Sequence, residues 1–117
     1  MTLPLTPEVL RSCYDFINAT EPFRRWNLPE GEDINFRVTR SPENAGRHWV
    51  ENGKHIIEIS GRLTGYTQTL CGVMAHEMIH VHERHTRGAS SCGEHGAGFK
   101  KWAEMVCRYH GFDPKLF

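Results

Sequence analysis

No two cysteines in this sequence are spaced as C-x-x-C; the four stand apart at Cys13, Cys71, Cys92 and Cys107. A zinc ribbon is therefore not written here, and unpaired thiols suit a reducing compartment. The N-terminus lacks a charged segment followed by an apolar stretch, so no signal peptide is expected. No apolar run approaches the length that crosses a bilayer. The expectation is a cytoplasmic protein without a membrane partner. Excess charge is missing as well. Lys and Arg number 14 and Asp and Glu 14, for a formal net charge of zero. That argues against a strong non-specific grip on nucleic acid or anionic lipid. Arg24 and Arg25, or Lys100 and Lys101 with Arg108, offer at most a local basic patch. Internal repeats and low-complexity segments are lacking too.

What is there fits one domain over residues 1–117. The chain is 38% hydrophobic and 24% charged, ordinary for a globular fold of a size that buries a core without disulfide staples. A first helix is expected from about Pro7 to Ala19, with Thr6 as N-cap and proline at the first helical position. Val9, Leu10, Cys13, Phe16 and Ile17 recur at helical spacing and predict its buried face. The period then changes. Ile34, Phe36 and Val38 alternate with polar neighbours, as in a half-buried strand. Two further runs, Arg47 to Glu51 and His55 to Ser60, meet across Asn52-Gly53, a strong hairpin signal because both residues tolerate positive φ. A small antiparallel sheet follows.

From Thr67 to about His85 there is no proline, and the pattern fits a helix apolar on most sides. Arg87 to Glu94 reads as a loop. A last helix is expected from near His95 to His110, with Phe99, Trp102, Ala103, Val106 and Cys107 inward and Gly111 as its stop. The fold class is α+β.

The central motif is His76-Glu77-Met78-Ile79-His80. Histidines at i and i+4 of a helix project from one face, one turn apart, and can take two corners of a zinc tetrahedron. Glu77 stands about 100° round from His76, within reach of a water at the metal but not placed as a third corner. A carboxylate there can take the water's proton and return it to a leaving amine. A catalytic zinc needs a third protein ligand. The pattern with a third histidine six residues on fails, since Thr86 stands there and Glu83 replaces the required glycine. His82 and His85 point away by helical phase. His95, Glu94, Glu104 and Cys92 remain, and spacing does not choose among them.

The two motifs together, His76-Glu-Met-Ile-His80 and His95-Gly96-Ala-Gly-Phe99, resemble those of the SprT-like family of zinc metallopeptidases, which includes the Spartan proteases that digest proteins crosslinked to DNA. The resemblance runs in order of elements from about Ile34 to Tyr109. It implies a minimal zincin-like domain: an N-terminal helix, a small sheet, the H-E-x-x-H helix and a C-terminal helix. It also implies one Zn2+ per chain on His76, His80 and His95, with Glu77 as general base. No paired cysteines follow the last helix, so the zinc ribbon of many relatives is not expected. The substrate implied is protein, with DNA or DNA-bound protein as a weaker partner call. Competing readings are a metal-dependent nuclease and a non-catalytic module in which zinc staples helices. Tyr66, Tyr109, His110, Arg62 and His48 are candidate transition-state donors, none singled out. Trp26, Trp49 and Trp102 read as core or groove lining.

Overall fold

Local chemistry sets the first helix, as expected. In the computed structural model, which describes residues 5–64, 67–87, 97–114 and 117, α1 spans Pro7–Asn18 and the Thr6 hydroxyl accepts from the Val9 N–H at 3.2 Å. Its buried residues are Leu10, Tyr14 and Ile17. Their spacing of i, i+4 and i+7 fixes the inward stripe. Phe16, expected inside, is 66% exposed. One residue before Ile17, it stands about 100° off that stripe. Tyr14 takes the aromatic place in the core, edge-on to Phe36 with its hydroxyl donating to the Pro29 carbonyl at 2.6 Å. Short 3-10 turns at Phe23–Arg25 and Gly31–Asp33 carry the chain to the sheet.

Strands β1 (Asn35–Thr39), β2 (Gly46–Glu51) and β3 (Lys54–Ser60) form a sheet of order β1-β3-β2. The expected hairpin is present: β2 and β3 are antiparallel, and Asn52 and Gly53 take φ of 52° and 78° in the turn. The sheet is mixed rather than wholly antiparallel, because β1 runs parallel to β3 with Phe36 opposite Ile57. The most apolar strand, with Ile56, Ile57 and Ile59 all buried, takes the centre. β1 therefore pairs on the side of β3 that β2 leaves free. Ser60 anchors the crossing. Its hydroxyl donates to the Ser41 carbonyl and its N–H to the Ala45 carbonyl, each at 2.8 Å, which pins the β1–β2 connection across the end of β3.

α2 spans Thr67–Arg87 and α3 spans Ala97–His110. α1 packs on β1 and α2, α2 on β2 and β3, and α3 on α2. The core lies between these helices and the sheet face carrying Ile34, Phe36, Ile57 and Ile59. α2 is buried on most sides, through Leu70, Met74, Ala75, Met78, Ile79 and Val81. α3 turns Phe99, Ala103, Val106 and Cys107 inward, and Gly111 ends it at φ 76° with its N–H on the Cys107 carbonyl. Among the described residues no helix is long and apolar enough to cross a membrane.

Candidate metal centre and cleft

Helical spacing brings His76 and His80 together as predicted. Their ring centroids lie 5.1 Å apart at 65°, edge to face. Phe99 of α3, buried in the core, packs against both rings at 4.9 and 4.6 Å. The two imidazoles are thus held from the α3 side by one aromatic wall, and the first turn of α3 lies at the site. His95, Cys92 and Glu94 lie outside the described residues, and among the described residues no group of three metal-type side chains gathers. Glu104, the remaining candidate third ligand, is 75% exposed beside Arg108. Its carboxylate faces solvent. The donors present fit a zinc ion in kind, since imidazole nitrogens are among its usual protein ligands.

Glu77 is 4% exposed. Burial pushes its carboxyl up to about 8, because the charged form loses water without gaining a cation among the described residues. Space for it comes from the strand beside it. A Cβ at Gly46 would stand 2.9 Å from Glu77 Oε2 and 2.7 Å from Val73 Cγ1. Only a residue without a side chain lets the start of β2 approach α2 this closely. The pinned β1–β2 connection holds that approach in place.

His48 sits on the helix-facing side of β2, opposite Ile57. Its ring is parallel to that of His80, 6.3 Å away and tilted by 2°, and its Nε2 meets His55 Nδ1 at 2.8 Å. Burial, then the nearby His55, His80 and Arg84, depress its pKa to about 3, so the ring is neutral at ordinary pH. Of the side chains considered as donors, His48 is the one beside the histidine pair among the described residues. Tyr109 is exposed, Arg62 lies in the turn after β3, and His110 bonds Thr20 and stacks on Phe112. Tyr66 lies outside the described residues. His82 packs in the core between Trp26, stacked at 4.0 Å, and Trp102. Trp49 departs from its expected place: it stands on the outer sheet face, with Arg37 and Arg47 over its ring.

A cleft of about 580 Å³ opens beside the motif. Its walls are α2 from Thr69 to Glu77, the β1–β2 connection from Glu43 to Gly46, and the segment after α3, with Gly111, Phe112, Asp113 and Phe117. His76 and Glu77 both line it. The profile of the SprT-like family matches residues 11–116, nearly the whole chain. This chain belongs to the SprT-like family. No individual curated protein matches it. Membership makes this a metallopeptidase-like domain, and α2, which carries His76 and Glu77, forms one wall of the cleft. Sequence reasoning named His48 only as one of five donors. It missed Gly46, Phe112 and Phe117 as site residues, because their roles arise from contacts between residues far apart in sequence, which no local pattern signals.

Proposed function

We propose that this SprT-like chain is a zinc-dependent peptidase that hydrolyses peptide bonds in protein substrates, with Glu77 as general base. The observation that carries the reading is the buried carboxylate of Glu77 beside the paired imidazoles of His76 and His80, at the wall of an open cleft. His76, His80 and, by the family's motif, His95 would hold the ion. The position of Phe99 against both rings supports His95, which precedes it by one turn's length of sequence. Zinc bound there supplies a Lewis acid and acidifies water.

The chain's own groups do the rest. Glu77 takes a proton from water at its carboxylate and returns it to the departing amine. Its raised pKa suits this, since a base near the working pH both accepts and releases protons readily, and a neighbouring cation favours the charged form. Gly46 leaves room for the carboxylate against the start of β2. β2 lies at an edge of the described sheet and begins at the cleft, so an extended peptide can add alongside it by backbone pairing. Proteins associated with DNA are one substrate class the family suggests, and the neutral charge balance leaves DNA itself a secondary partner.

The test is elemental analysis alongside casein digestion. The reading expects one zinc per chain and chelator-sensitive cleavage. Zinc-loaded protein that cuts neither casein nor a DNA-crosslinked protein would leave the helix-stapling module as the better account.

A further inference from the structure

Gly72 stands six residues into α2, a 21-residue helix. Glycine in a helix interior is destabilising relative to alanine, because it loses more backbone freedom on folding. Such a glycine ordinarily has a local reason, and none operates here among the described residues. Its φ is not positive, unlike those of Gly53 and Gly111. Among the described residues no neighbour outside its own helix backbone approaches closely: a Cβ built at Gly72 meets nothing within 4 Å, whereas one at Gly46 would collide with Val73 and Glu77. What a side chain at 72 would do is project into the cleft, which Gly72 lines one turn before His76.

The surroundings define what fits. Thr69, Gly72, Val73 and His76 follow the i, i+3, i+4, i+7 pattern of one helix face, and all four line the cleft. Phe112 and Phe117 line it too, their rings 5.8 Å apart, with Phe117 5.6 Å from the His76 ring. Among the described lining residues the ionisable side chains besides His76 are Glu43, Glu77 and Asp113, with no lysine or arginine. An acidic side chain would meet repulsion there. An uncharged apolar one would meet Val73 and two aromatic rings.

We infer that Gly72 is a specificity-determining residue: it keeps open a subsite, next to His76 and Glu77, that takes a large apolar or aromatic side chain of the substrate. This rests on the peptidase reading for its substrate class, and on the cleft alone for its ligand chemistry. Gly72→Leu should fill the subsite without disturbing the fold, since the space it enters is open. Gly72→Ala should fold at least as well as the parent, because it gains helix propensity and its Cβ meets no described atom beyond its own helix backbone within 4 Å.

Two arms test it on the full chain. In the first, zinc-loaded parent and Gly72→Leu digest casein, and cleavage positions are read by mass spectrometry. The parent should favour large apolar residues at one position flanking the cut, and Gly72→Leu should shift that position toward glycine, alanine and serine by roughly tenfold or more, the range that pocket size sets. In the second, Glu77→Gln protein with and without Gly72→Leu is titrated with N-acetylphenylalanine amide and N-acetylaspartate amide, followed by NMR. The phenylalanine probe should shift the amides of Gly72, Val73 and Phe112 saturably, at least tenfold more weakly once leucine is present, and the aspartate probe should not. An unchanged cleavage profile in folded, zinc-loaded Gly72→Leu overturns the inference. So does equal binding of the phenylalanine probe to both proteins, or a Gly72→Ala chain less stable than the parent. If the parent cuts nothing while the phenylalanine probe still binds as described, the peptidase reading falls and the apolar subsite stands.

Discussion

Replacing Glu77 by glutamine in metal-free protein should stabilise it at neutral pH, and the gain should vanish in mild acid. The folded carboxyl sits at about 8 against an ordinary 4.5, driven by burial. A group raised on folding contributes stability that is fully present below the unfolded pKa and is lost as pH climbs through the folded one. The window is therefore pH 4.5 to 8. A tenfold difference in proton affinity is worth about 1.4 kcal/mol, so the loss approaches a ceiling of about 5 kcal/mol at high pH and about 3 kcal/mol at pH 7. Water entry and relaxation reduce that ceiling, which leaves roughly 2 kcal/mol as a reasonable effect at pH 7. Glutamine has nearly the same shape as the protonated acid and no charge to bury. Urea unfolding of chelated parent and Glu77→Gln at pH 5, 6, 7 and 8 measures the difference, with every other titrating group common to both. It should be below about 1 kcal/mol at pH 5 and grow steadily to pH 8. A difference that stays flat across this range would refute the burial argument, and a parent more stable than the variant at pH 8 would reverse it. Saturating zinc should shrink the difference, because a cation beside the carboxylate favours its charged form.

Other residues yield sharper local outcomes. His48, depressed to about 3, acts in the opposite sense: its stability contribution is present above pH 6.5 and fades as pH falls toward 3, and its ring resonances should show no titration between pH 5 and 8 by NMR. Phe99→Ala should cost about 3–5 kcal/mol in denaturant melts, as for a buried aromatic. It should also weaken zinc binding by roughly ten- to a hundredfold, since it releases both imidazole rings, a loss read with a competing chelator. His76→Ala, His80→Ala and His95→Ala should each lose zinc on elemental analysis, while Glu104→Ala, whose carboxylate is exposed beside Arg108, should keep it. Full occupancy in His95→Ala would reassign the third ligand.

Features carried by neighbours in sequence were legible before the structure. Thr6 and Pro7 start α1, Asn52-Gly53 turns the hairpin with both residues at positive φ, and Gly111 ends α3 in the same left-handed region. The motif helix was legible because its apolar residues and its histidines share one period. Phe16 misled because hydrophobicity says which residues prefer burial, not which stripe the tertiary contacts select; Tyr14, with a partner for its hydroxyl at Pro29, filled the place instead. The parallel pairing of β1 with β3 was hidden for a related reason. It depends on Ser60 gripping Ser41 and Ala45 across the end of the sheet, and alternation within a strand is silent about its neighbour. The site shows the same divide. His76, Glu77 and His80 are a local pattern, whereas the glycine that admits Glu77 to the strand and the ring that faces His80 both come from β2.

The central claim is that Glu77 moves the proton during hydrolysis, and turnover by zinc-loaded Glu77→Gln protein tests it most directly. Glutamine keeps the reach of the side chain and cannot accept a proton, and Phe99 packs against the rings of both His76 and His80. With casein or a crosslinked DNA-binding protein as substrate, with and without DNA, the variant should hold as much zinc as the parent. It should cut on the order of a hundred to ten thousand times more slowly, the usual contribution of a general base. A variant that holds its zinc and cuts at the parent's rate would contradict the mechanism.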